Sequence, residues 1–170
     1  AMANRLTGKG PATTPTDAKD QETGPLEASP QPDSGKRRFL VIDFIGVGNG
    51  LKKLEELLQE NADYFLLAST LPVGKTLETL REELSGCADR LVGEISSSLE
   101  GRYFAIQKFL QTTPEGRQAV WLAVDSEPRR FPESCSELVA MNPAFGFDDA
   151  VAQRLRDAMR FTDQRARINA

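Results

Sequence analysis

Histidine is absent from all 170 residues. That absence excludes Ser-His-Asp and Cys-His nucleophilic machinery and every histidine-based metal site, so acid-base chemistry must come from carboxylates, lysine, tyrosine or a bound metal. Cysteine is nearly absent too. Cys87 and Cys135 are too few and too far apart for a disulfide scaffold, and they read as reduced thiols in a cytoplasmic setting. There is no basic surplus, the net charge being −4, and no long apolar run. Neither nucleic acid nor a bilayer is therefore an expected partner. No signal-peptide pattern opens the chain, where Ala1-Met2-Ala3 looks like a cloning remnant.

Large apolar residues are also missing from the first 35 positions, which hold five of the ten prolines but only Met2, Leu6 and Leu26 as sizeable hydrophobic groups. Such a segment buries too little surface to offset the entropy of ordering. A disordered tail or linker is expected over residues 1–36, one α/β domain over 37–161, and a frayed C-terminus over 162–170.

What is present begins after Lys36. Phe39-Leu40-Val41-Ile42 is a continuous apolar run of strand formers, and Tyr64-Phe65-Leu66-Leu67-Ala68 and Ala119-Val120-Trp121-Leu122-Ala123-Val124 repeat it. Leu91-Val92 and Leu138-Val139-Ala140 are shorter candidates. Runs without polar alternation suit parallel strands covered on both faces. Between them lie helical periods: Leu51, Leu54, Leu57 and Leu58; Leu77, Leu80 and Leu84; Tyr103, Ile106, Phe109 and Leu110; and Val151, Leu155, Ala158 and Met159 behind an Asp148 cap. Strict alternation of strand and helix predicts a three-layer, Rossmann-like parallel sheet of about five strands, flanked by helices and without a large cap domain.

Such sheets place their ligand crevice at the carboxyl ends of the strands. The loops after Ile42, Ala68 and Val124 therefore matter most. They read Asp43-Phe44-Ile45-Gly46-Val47, Ser69-Thr70 and Asp125-Ser126-Glu127. An ionisable group closing a fully apolar strand is more often functional than structural.

Two phosphate-loop patterns fail on inspection. Gly74-Lys75-Thr76 resembles the end of a nucleotide-binding loop, but the glycine required upstream is Ser69. Gly46, Gly48 and Gly50 suggest a dinucleotide fingerprint, but its third glycine falls on Leu51, and the glycines read better as a tight turn between strand and helix.

In the order and placement of these strand-end residues, the chain resembles the haloacid-dehalogenase-like superfamily, and within it small bacterial domains associated with RNA-repair proteins. The resemblance covers nearly all of residues 37–161. It implies that Asp43 matches the nucleophile, and that Ser69, or Thr70 as the second choice, supplies the phosphate-binding hydroxyl. Arg102 is the best match for the charge-balancing base, with Lys75 and Lys108 as rivals. Asp43, the Ile45 main-chain carbonyl and Asp125 would hold magnesium, with Glu127 as a further acid. A carboxylate attacking a phosphate dianion needs such cations and donors to offset repulsion.

Two positions depart from the family pattern. The second aspartate of the first motif, the general acid-base, is Ile45, a loss worth roughly two to four orders of magnitude in rate. The acid often found after Asp125 is Ser126. The expectation is a catalytically weakened or inactive domain that binds a phosphorylated ligand or a protein partner; the alternative is an active magnesium-dependent phosphatase or another aspartate-nucleophile hydrolase. With no segment long enough for a lid, the crevice should be open to a bulky partner. Arg129 and Arg130, beside the last of the three loops, and the late arginines from Arg154 to Arg167 read as solvated basic residues.

Overall fold

Arg38–Asp43 forms the first strand, β1, and all six of its residues are buried. A strand whose two faces are both covered belongs at the centre of a parallel sheet. In the computed structural model, which describes residues 37–114 and 119–169, it lies there. The tail expected over 1–36 lies outside the described residues.

The strands that follow are β2 (Tyr64–Thr70), β3 (Leu91–Glu94), β4 (Val120–Asp125) and β5 (Leu138–Ala140). Their order in the sheet is β3-β2-β1-β4-β5, and every neighbouring pair is parallel. The chain builds outward from β1 through β2 to β3, then crosses back to place β4 on the other side of β1. The switch point of the topology thus lies between β1 and β4, which is where α/β sheets open a crevice for ligands.

The connecting helices are α1, a single turn at Phe44–Val47; α2 (Leu51–Glu60); α3 (Leu77–Glu83); α4 (Arg102–Thr112); and α5 (Asp149–Asn169). Two core layers divide them unequally. On one face of the sheet, Leu54, Leu57 and Leu58 of α2, Leu80 of α3, and Val151, Leu155 and Met159 of α5 pack on Leu40, Ile42, Leu66, Leu122 and Val124. On the other, Ala105, Ile106 and Leu110 of α4 pack on Phe39, Val41, Leu67, Trp121 and Ala123. The period of two along each strand sends alternate side chains to the two layers. Three layers and five parallel strands make this a Rossmann-like α/β fold, with no large cap among the described residues.

Local chemistry sets the helix ends. Thr76 and Thr79 form a reciprocal capping box at the start of α3, so the Gly-Lys-Thr triplet is a helix entry rather than a phosphate loop. Asp148 accepts a hydrogen bond from the Val151 amide at 3.0 Å and starts α5. α5 continues through the segment where fraying was expected, to Asn169. Asp163 on this extension lies 3.2 Å from the guanidinium of Arg38, a charged residue that is buried in β1. That pairing at the amino-terminal end of β1 gives the extra turn a partner.

The loop from β5 to α5 locks onto the turn after β1. The Phe147 amide donates to the Val47 carbonyl at 3.0 Å, and the Phe147 ring is fully buried. Gly146 makes this approach in a left-handed conformation, φ +69°, where a side chain would strike the Val47 carbonyl. No described helix is long and apolar enough to cross a membrane.

Candidate functional site

Asp43 ends the central strand and begins a helical turn, so its carboxylate is buried at the carboxyl-end rim of the sheet with backbone donors around it. Its Oδ1 accepts from the Gly46 amide at 3.2 Å and from the Thr70 hydroxyl at 2.6 Å. Its Oδ2 accepts from the Ser126 amide at 2.9 Å and the Ser126 hydroxyl at 2.6 Å. Three strand ends, those of β1, β2 and β4, therefore converge on one carboxylate. Burial pushes its pKa up, but the hydrogen bonds, led by the Ser126 and Thr70 hydroxyls, more than offset this and hold Asp43 below the usual aspartate range.

The hydroxyl that hydrogen-bonds Asp43 belongs to Thr70 and not to Ser69. The reason is a register shift. β1 and β2 pair residue for residue as far as Ile42 and Ala68, and then Asp43 pairs with Thr70, skipping Ser69. Thr70 also accepts from the Ile45 amide at 3.0 Å, bracing the turn. The Ile45 side chain faces solvent, 57% exposed.

A second carboxylate lies next to the first. Asp125 ends β4 and is as buried as Asp43. One terminal nitrogen of Arg102, Nη1, straddles both its oxygens at 2.8 and 2.7 Å, and the Glu127 amide donates to Oδ1 at 2.8 Å. Arg102 is the first residue of α4, entered through Gly101 in a left-handed conformation, φ +110°. Its side chain is only 12% exposed. Burial, with a smaller contribution from the charge on Asp43, pushes the Asp125 carboxyl above the usual range against the pull of Arg102. Glu127 closes the network: Arg130 Nε meets its Oε1 at 2.7 Å, and Arg102 Nη2 is 3.7 Å from its Oε2.

Ser69 belongs to the α4 side of the sheet. Strand alternation sets it on the face of Phe65 and Leu67, away from the layer of Leu66 and Ala68. Its hydroxyl oxygen is buried without a hydrogen-bond partner. It lines a small cavity of about 40 Å³ with Ser96, Ser97, Ser98, Arg102 and Arg130. Buried polar atoms almost always find partners, so an orphaned hydroxyl in a cavity that two arginines also line marks a place for a polar guest.

The remaining residues singled out in the sequence fall elsewhere. Lys75 is held by Glu83, 2.7 Å away, in a half-exposed ion pair on the loop leading to α3. Lys108 is exposed on the outer surface of α4. Among the described residues, no cluster of three or more acidic, cysteine or histidine side chains is arranged to hold a metal ion.

Two contributors were not recognised from sequence as site residues. Ser126 was read as the loss of an acid, yet it supplies two of the four hydrogen bonds to Asp43. Gly46 was read as a turn glycine. A Cβ there would lie 2.6 Å from the Ser126 hydroxyl and 2.7 Å from Asp43 Oδ2, so any larger residue would displace the groups that meet here. The only sequence signal for either was position: both follow an apolar strand closed by aspartate.

No protein-family profile, curated protein or solved structure matches the chain.

Proposed function

We propose that residues 37–169 form a haloacid-dehalogenase-like domain whose covalent chemistry is silenced, and whose strand-end crevice binds a phosphorylated protein partner. The observation that carries this reading is the state of Asp43. Both of its oxygens are taken up by four hydrogen bonds that stabilise the resting carboxylate, and so lower its readiness to attack. The residue two places on, where a general acid-base would stand, is an aliphatic side chain in solvent.

Two further features support binding. Ser69, Arg102 and Arg130 line one small cavity, and a hydroxyl with two arginines is a set suited to a phosphoryl group. Around the same carboxyl-end rim, the loops after β1, β2, β3 and β5 expose Ile45, Val73, Leu99 and Phe145. Exposed apolar groups framing a polar centre suit a protein surface better than a small metabolite.

One observation favours the second reading, an active aspartate-nucleophile hydrolase: a lowered pKa keeps Asp43 ionised, as a nucleophile must be. Turnover separates the two. Titration with inorganic phosphate and with a phosphoserine peptide is expected to shift the amide resonances of Ser69, Arg102 and Arg130 saturably, while a chromogenic phosphate ester is not hydrolysed. Hydrolysis that Asp43→Asn abolishes would establish the enzyme instead.

A further inference from the structure

We infer that the Arg102 guanidinium serves as the fixed counter-cation of this crevice in place of magnesium, so that the site neither binds nor needs a divalent metal. The expectation of magnesium came from the family resemblance, and this inference rests on the proposed function only in asking what replaces that ion.

Lone-pair accounting leads to it. An ionised carboxylate offers about four acceptor positions, two on each oxygen. Asp43 has all four filled, by the Gly46 and Ser126 amides and the Thr70 and Ser126 hydroxyls. Asp125 has three filled, two by Arg102 Nη1 and one by the Glu127 amide. A magnesium ion needs near-octahedral oxygen ligands at about 2.0–2.1 Å and gives up its waters reluctantly. To ligate it, Asp43 would have to break a charge-assisted hydrogen bond, and Asp125 would have to admit a dication beside a guanidinium that already bridges its oxygens.

Charge points the same way. Asp43 and Asp125 are both about 1% exposed and end adjacent strands. Two such carboxylates repel each other unless a cation intervenes. Arg102 supplies one covalently tethered to α4, and with its side chain only 12% exposed the pair is little screened by water. Glu127, the remaining acid, is met by Arg130. Ser126, where a further acidic ligand would help a metal, instead donates to Asp43. The carboxylates therefore do not fit a divalent cation, whereas Arg102 and Arg130 both line the Ser69 cavity, where an oxyanion would meet positive charge.

The test is a magnesium titration of the full chain, followed by thermal unfolding and amide resonances. In the wild type, no saturable shift is expected at Asp43, Asp125 or Ser126, and the unfolding midpoint in millimolar magnesium should equal that in chelator. Arg102→Gln, which withdraws the cation and keeps a polar side chain, is expected to gain a saturable magnesium shift at Asp125. Saturable magnesium binding by the wild type overturns the inference whatever the variant does, so the conclusion does not depend on Arg102→Gln folding. A phosphate titration with and without chelator separates this idea from the proposed function. Phosphate binding only with magnesium overturns the counter-cation role and leaves phosphate binding intact. An absence of phosphate binding with magnesium also silent overturns phosphate binding and leaves Arg102 in its role.

Discussion

Replacing Ser126 by alanine removes the 2.6 Å hydrogen bond from its hydroxyl to Asp43 Oδ2 while keeping the 2.9 Å bond from its amide. A hydrogen bond to a charged group contributes roughly 1.5–3 kcal/mol, and Asp43 is too buried for water to restore it freely. Ser126→Ala should therefore lose about 1.5–3 kcal/mol of stability at neutral pH. The pH dependence follows from the sign of the shift. The folded pKa of Asp43 is depressed, so its hydrogen bonds contribute stability that is fully present above the unfolded value of about 3.9 and lost as pH falls through the folded value. The gap between wild type and variant should be widest near neutrality and narrow in acid. Asp125 acts with the opposite sign, since its raised pKa makes burial of its charge costly at higher pH, but it is present in both proteins and cancels in the difference. Urea unfolding at pH 7 and at several acid pH values measures the gap. A difference below about 0.5 kcal/mol at pH 7, the range of an ordinary surface change, or one that stays constant into acid, would refute the reasoning.

Gly46→Ala brings a methyl group to 2.6 Å from the Ser126 hydroxyl and 2.7 Å from Asp43, and overpacking of this kind should cost about 1–3 kcal/mol in urea unfolding. Asp125→Asn leaves the Arg102 charge nearly buried with only Glu127 nearby at 3.7 Å; a loss of about 3 kcal/mol is expected, and a neutral result would show that the pair is not desolvated. Ile45→Asp changes a solvent-facing side chain, so stability should stay within about 0.5 kcal/mol of the wild type. On the proposed ancestry of the site, the same variant should raise phosphate-ester turnover by roughly 10²–10⁴ over background, and no gain would mean that the remaining groups are not set for chemistry.

The sheet was legible because its strands are buried on both faces and so appear as unbroken apolar runs. β5 matches its expected span, and β1 and β4 shift by a residue or two. β2 runs two residues past the apolar stretch, to Thr70, because hydroxyl side chains can continue a strand that the hydrophobic pattern no longer marks. That extension carries the register shift, which depends on how β1 meets β2 in space and leaves no trace in either segment alone. Which of Ser69 and Thr70 meets Asp43 was therefore not legible in the sequence; pairing brings Thr70 to Asp43 and leaves Ser69 in the cavity on the α4 side. Arg102 and Asp125 are 23 residues apart, and their contact exists only because α4 begins over the end of β4. The last turns of α5 lie beyond the apolar period, which stops at Met159, and Asp163 there pairs with a buried arginine at the far end of β1.

The carbon resonance of the Asp43 carboxyl group, followed by NMR through an acid titration of the wild-type chain, tests most directly whether three strand ends hold this group as a fully hydrogen-bonded anion. Convergence of Gly46, Thr70 and Ser126 on it predicts a midpoint clearly below the value of about 3.9 of a free aspartate. A midpoint at or above that value would mean that burial prevails, that the donors do not meet on Asp43, and that the site is not built as described.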